Sequence, residues 1–145
     1  MAKRNSYNKD LLQAIIEGKP KPIKRTKVST VSESEIQQAC LKWFKLQYPK
    51  LASDGVLFHI PNEGIRLGGI GRRMKREGIV RGVADLCLAI PRKGYAALYI
   101  EMKKPGSYQS PEQKAWQKNI ERYGNKYVVC RSLEEFIKII TDYLS

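Results

Sequence analysis

The apolar run Val83-Ala84-Asp85-Leu86-Cys87-Leu88-Ala89-Ile90 holds one carboxylate, and a second run, Ala96-Ala97-Leu98-Tyr99-Ile100, ends in Glu101-Met102-Lys103. Two strand-like segments therefore each deliver an acid, and the second adds an amine. Ionised groups are costly in buried sheet unless compensated, and in a strongly basic chain the compensation expected is a divalent cation shared by Asp85 and Glu101. Neighbouring strands lie only about 4.8 Å apart, so side chains on both can reach one ion. Alternation along an extended segment points Glu101 and Lys103 to the same face and Met102 away from it. Oxygen donors of this kind suit Mg2+ or Mn2+, with waters and phosphate oxygens filling the remaining positions. Such an ion polarises a phosphate and lowers the pKa of bound water, while Lys103 orients that water and offsets charge developing on the phosphate. The chemistry indicated is phosphodiester hydrolysis.

Asp followed by Glu-x-Lys is by itself a degenerate pattern, and a surface salt bridge of Glu101 with Lys103 or Lys104 would account for part of it. The elements around it carry more weight. Ser32 and Glu35 have the spacing of a capping box, so a helix is expected from about 33 to 48. At 100° per residue Ile36, Cys40, Trp43 and Phe44 share one face, Glu33 and Gln37 lie at its edge, and Glu35 projects to the other side. Glu35 is therefore read as the cap and Glu33 as a candidate for the site. Residues 56 to 60 read as a strand, ended by Pro61-Asn62-Glu63-Gly64. Asn62 and Glu63 serve a turn as well as they would serve substrate.

A glycine-rich basic segment follows, with a short helix expected around 70 to 77. The strands carrying Asp85 and Glu101 are joined by the turn Pro91-Arg92-Lys93-Gly94 and should form a hairpin. Ser110-Pro111 opens another helix, with Gln113 completing a second capping box, and Trp116, Ile120 and Tyr123 follow at helical spacing up to Gly124. Tyr127-Val128-Val129-Cys130 is a further strand. Leu133, Phe136, Ile137, Ile140 and Tyr143 mark a closing amphipathic helix. The architecture expected is α/β, a mixed central sheet flanked by helices and covered on both faces.

A chain of 145 residues fits one compact domain, and 27 Lys and Arg against 14 Asp and Glu give a net charge of +13, the footprint of a protein that sits on polyanions. No stretch has the roughly 20 apolar residues of a membrane span, so no membrane partner and an intracellular location, cytoplasm or nucleoid, are expected. Cys40, Cys87 and Cys130 show no paired spacing and are expected to be reduced and buried. His59 is the lone histidine, which excludes mechanisms built on histidine pairs. A packed or hydrogen-bonded core histidine and a substrate-facing one both remain open readings of it. Residues 1 to 30 carry Lys3, Arg4, Lys9, Lys19, Lys21, Lys24, Arg25 and Lys27 against Asp10 and Glu17, with prolines at 20 and 22. They read as a basic extension preceding a domain of residues 31 to 145. Arg66, Arg72, Arg73, Lys75, Arg76 and Arg81 are the candidates for contact with a DNA backbone, since nearby glycines allow close approach and arginine grips phosphate bidentately. Contacts of that kind carry no sequence code.

Five blocks stand in a telling order: Glu33-Ser34-Glu35-Ile36-Gln37, Pro61-Asn62-Glu63-Gly64, Gly82-Val83-Ala84-Asp85-Leu86, Tyr99-Ile100-Glu101-Met102-Lys103 and Ser110-Pro111-Glu112-Gln113. In this the chain resembles the VRR-NUC domain, the virus-type replication and repair nuclease branch of the PD-(D/E)xK superfamily, over about residues 31 to 144. The resemblance implies a restriction-endonuclease-like core and a Mg2+- or Mn2+-dependent DNA endonuclease. It implies further that Asp85, Glu101 and the backbone carbonyl of Met102 bind metal, that Lys103 is catalytic, and that Glu33 and Gln113 complete the site. Short stand-alone members look like homodimeric Holliday junction resolvases, and longer ones cut flaps. Ala84 departs from the proline of the superfamily name, at a position the family pattern leaves variable. A non-catalytic basic DNA-binding module is the competing class, and a sequence-specific restriction-type enzyme is a third.

Overall fold

The structure, a computed structural model, describes residues 31–61, 73 and 75–145. Expectations for residues 1 to 30, for Asn62, Glu63, Arg66 and Arg72, and for part of the helix around 70 to 77 thus lie outside the described residues. Arg73, Lys75 and Arg76 are helical.

The order of elements is α1 (Glu33–Gln47), α2 (Pro49–Ser53), β1 (Leu57–His59), β2 (Leu86–Leu88), β3 (Leu98–Met102), α3 (Pro111–Arg122), β4 (Lys126–Cys130) and α4 (Leu133–Leu144). The strands form one sheet in the order β1-β2-β3-β4. The first two pairings are antiparallel and β3 runs parallel to β4, with α3 as the crossover. This is the mixed sheet flanked by helices that the sequence indicates.

Alternation divides the sheet into two faces. Leu86, Leu88, Leu98, Ile100, Met102 and Cys130 are buried against Ile36, Cys40 and Phe44 of α1 and Phe136, Ile140 and Tyr143 of α4. Both helices present these residues at steps of three or four positions, which is what one helical face requires. Ser32 caps α1 through a complete capping box with Glu35, and Ser132 caps α4 by accepting from the Glu135 amide. The opposite face carries Tyr99, Glu101 and Tyr127, and α3 lies on it with the Trp116 ring edge-on at 5.0 Å to Tyr99 and 6.0 Å to Tyr127. No residue of α3 is fully buried, so this second cover is thinner than the first.

One short helix stands where none was expected, and two local readings need correction. Residues 49–53 form the short helix α2, which Pro49 starts at its first position, where a missing N–H costs nothing. Asp85 sits in a bend just ahead of β2 rather than within a strand. His59 is exposed on edge strand β1, so the packed-core reading does not hold. The three cysteines are free and buried. Among the described residues no helix is long and apolar enough to cross a membrane.

One glycine is placed with unusual constraint. Gly82 has φ +79°, and a Cβ added there would stand 2.4 Å from the Glu112 carbonyl oxygen and 2.8 Å from the Gln113 nitrogen. The approach to Asp85 is thereby pressed against the first turn of α3. Gly82→Ala combines left-handed backbone strain with overlap on main-chain atoms that cannot rotate away. It should cost about 2 kcal/mol or more, a fall in Tm of roughly 5–10 °C. Thermal denaturation followed by circular dichroism checks this, and an unchanged Tm would show that α3 yields easily.

Candidate active site

Continuing the β2/β3 register one step past Leu86 and Ile100 sets Asp85 opposite Glu101 at the end of the strand pair. Asp85 is held there by its own chemistry. Its Oδ2 accepts from the Met102 amide at 2.8 Å, so the side chain takes a hydrogen-bond position that strand pairing would fill one residue earlier. The bend that removes Asp85 from the strand is thus what lets its carboxylate close the ladder.

Glu101 has no exposed surface. Its Oε1 accepts from Gln113 Nε2 at 2.5 Å and is paired with Lys103 Nζ at 2.7 Å. Its Oε2 accepts from the Tyr127 hydroxyl at 3.3 Å. Lys103 shares the Glu101 face, as alternation requires, and its side chain is only 11% exposed. The ion pair therefore lies inside the site, not on the surface.

Gln113 shows how one side chain serves both a cap and a site. Its Oε1 accepts from the Ser110 amide at 2.8 Å, completing the capping box of α3, and its Nε2 faces Glu101. An amide has an acceptor end and a donor end, so the two roles do not compete. Glu33, at the first position of α1, accepts from the Lys104 amide at 3.2 Å and thereby pins that helix to the exit of β3. Glu35, by contrast, is spent on Ser32.

The electrostatics are those of two acids held close in a poorly solvated place. Burial pushes the Glu101 carboxyl up to about 7, with the Asp85 charge adding to the rise and Lys103 and Tyr127 opposing it. Burial likewise raises Asp85; the Met102 amide and Lys103 counter the effect, and Glu33 reinforces it. Desolvation and like charge act together here, as they do where carboxylates share a site. A divalent cation between them would relieve both, and the donor set is oxygen-only at Asp85 and Glu101. Among the described residues no group of three or more His, Cys, Asp and Glu could hold a metal ion. The two acids are thus a pair of carboxylates set side by side, not a closed cage of side-chain ligands.

His59 stands beside the pair: its Nδ1 lies 2.9 Å from the Asp85 carbonyl oxygen and 3.2 Å from Gln37 Nε2. Of the basic candidates, Arg73, Lys75, Arg76 and Arg81 are exposed. Arg73 is paired with Glu77 at 2.8 Å, and Arg81 lies near enough to Glu112 to lower its pKa, after that residue's own backbone and Ser110. Sequence reasoning missed Tyr127 as a member of the site, because an aromatic in a strand reads as packing. Its position on the Tyr99 and Glu101 face was the available signal. Burial and the Glu101 charge hold its phenol above the ordinary value.

Residues 31–134 match the family model of the VRR-NUC domain. A solved structure described as a VRR_NUC domain protein is 28% identical, with a TM-score of 0.69, covering 81% of this chain and 91% of that one. No curated protein gives a significant match.

The raised Glu101 pKa has a consequence for stability in the absence of metal. Its folded value lies above the 4.5 of an ordinary glutamate, so its contribution is fully present below about pH 4.5 and is lost as pH rises through about 7. Glu101→Gln removes that titration. In EDTA the Tm of the native chain, relative to Glu101→Gln, should fall between pH 5 and pH 8. Parallel curves for the two proteins would mean that Glu101 ionises as freely folded as unfolded.

Proposed function

Because the chain belongs to the VRR-NUC family and so is a nuclease of the PD-(D/E)xK type, we propose that it is a metal-dependent, structure-selective DNA endonuclease acting on four-way Holliday junctions. The observation that carries the reading is the meeting of Asp85, Glu101 and Lys103 on one face at the end of a two-strand pair. A basic binding module has no use for a half-buried Asp85 set against a fully buried Glu101, and a net charge of +13 would serve it without them.

Asp85 and Glu101 would hold Mg2+ or Mn2+, with the carbonyl of Met102, which follows Glu101 directly, as a further ligand. Bound there, the ion supplies polarisation of the scissile phosphate and a lowered pKa for water. Lys103 places an ammonium beside Glu101, where it offsets negative charge growing on the phosphate during in-line attack and orients the attacking water. Gln113 fixes Oε1 of Glu101, and Glu33 completes the acidic rim from α1. Arg66, Arg72, Arg73, Lys75, Arg76 and Arg81, all in the connection between β1 and β2, would grip the phosphate backbone and leave the choice of substrate to shape. A four-way junction presents two equivalent strands, so a two-fold homodimer suits it. A role in DNA repair inside the cell, in cytoplasm or nucleoid, follows from that substrate.

The deciding experiment is cleavage of labelled four-way junction, flap and linear duplex with Mg2+, Mn2+ or EDTA, comparing the native chain with Glu101→Ala. Paired symmetric cuts in the junction that vanish in EDTA and in Glu101→Ala are expected. Cuts confined to flaps, together with a monomeric mass on DNA, would make it a flap or nicking nuclease. Tight binding with no cut would make it a binding module.

Two further outcomes follow. Lys103→Met should lower the cleavage rate by about 10²–10³ while leaving metal affinity in place, the size of effect seen when one stabilising donor is removed. Affinity for DNA should fall steeply between 50 and 200 mM salt, and Arg76→Ala should reduce that slope by about one phosphate contact.

A further inference from the structure

We propose that Tyr127 is a positioning residue for Glu101, the last donor in a hydrogen-bond chain that begins at Glu121 on the surface of α3. The inference rests on the metal-dependent reading above and concerns how this chain sets the Glu101 carboxylate.

The direction of the chain follows from chemistry. Glu121 accepts from Gln117 Nε2 at 3.0 Å. An ionised carboxylate can only accept, so Gln117 must turn its amide nitrogen towards Glu121 and its oxygen inward. That oxygen meets Gln109 Nε2 at 2.9 Å, which fixes the orientation of Gln109 in turn. The same nitrogen has a second hydrogen, and it reaches the Tyr127 hydroxyl oxygen at 3.2 Å. A phenol has one proton. With its oxygen already accepting from Gln109, Tyr127 directs that proton to Glu101 Oε2.

The ring cannot easily swing to another arrangement. Tyr127 is buried, with 6% of its surface exposed, and Trp116 packs edge-on against it. In the parallel register Tyr127 lies opposite Tyr99, two residues before Glu101, so its hydroxyl extends along the sheet towards the acid. Lys103 and Gln113 both act on Oε1. Tyr127 alone among the described residues holds Oε2, and it therefore fixes the rotation of the carboxylate plane beside Asp85.

The test is Mn2+ binding to the full chain without DNA, read from the electron paramagnetic resonance signal of free Mn2+. Native chain, Tyr127→Phe, Gln109→Met, the double variant and Glu101→Gln are compared, with circular dichroism melts in EDTA reporting folding. Tyr127→Phe should weaken Mn2+ about tenfold or more, the usual loss when a group orienting a ligand is removed. Gln109→Met should weaken it less, about threefold, and should add nothing to Tyr127→Phe, because it acts through the same hydroxyl. In cleavage, Tyr127→Phe should raise the Mn2+ concentration for half-maximal rate and recover most of the native rate at saturation.

Mn2+ affinity within twofold of native in folded Tyr127→Phe would overturn the proposal and leave the nuclease reading standing. Should Tyr127→Phe not fold, Gln109→Met decides alone, and native affinity in it overturns the proposal. Mn2+ binding by Glu101→Gln equal to that of the native chain would overturn the metal site itself, and this inference with it.

Discussion

The constraint on which the rest depends is that a carboxylate has been taken wholly out of water at Glu101. An acid so placed must find donors or stay protonated, and each donor here comes from a different part of the chain. Lys103 is on the same strand, Gln113 at the start of α3, and Tyr127 on β4. Asp85 is brought alongside by the Met102 amide. The parallel pairing of β3 with β4, the crossover helix and its cap are all needed before the acid is satisfied. Among the described residues no buried side-chain nitrogen or oxygen lacks a partner, so the polar network is closed. The geometry of the acid pair and the packing of the second sheet face are one problem with one solution.

That face is also where the two layers of the molecule differ in kind. The α1 and α4 side is an apolar core of aliphatic, aromatic, methionine and cysteine side chains, and it supplies the rigidity. The α3 side is half polar and thinner, and its order comes from hydrogen bonds of set direction instead of from area removed from water. A substitution on the first side would be expected to act through stability, and one on the second through the acid pair.

Much of this was legible in the chain. Capping boxes at Ser32 and Ser110 mark two helix starts because a cap has a fixed spacing and a fixed chemistry. Alternation told that Glu101 and Lys103 share a face and that Met102 is core. The bend at Asp85 was not legible, since an acid in an apolar run looks the same in or just before a strand; only the Met102 amide, waiting across the ladder, decides it. The helix over Pro49–Ser53 hid behind turn-forming residues. Tyr127 was hidden for a different reason: Gln109, which donates to its hydroxyl, lies far from it in sequence and is itself held by Gln117 of the crossover helix. The twin use of Gln113 was not legible either, because spacing alone could not say that a capping amide has a second end to spare.

Strands β1 and β2 are hydrogen-bonded neighbours, Leu57 facing Leu88 and His59 facing Leu86. A tight turn would suffice to join them, yet the chain passes through residues 60 to 85 between them, and the six basic candidates for DNA contact are all in that passage. Closing a longer loop costs only a logarithmic increase in entropy, about 0.6 kcal/mol for each doubling. Length and composition there can change cheaply so long as Gly82 keeps its seat against α3. On the proposed reading the molecule separates its reaction from its choice of target: a graft in this passage would retarget the scissors without touching the blades.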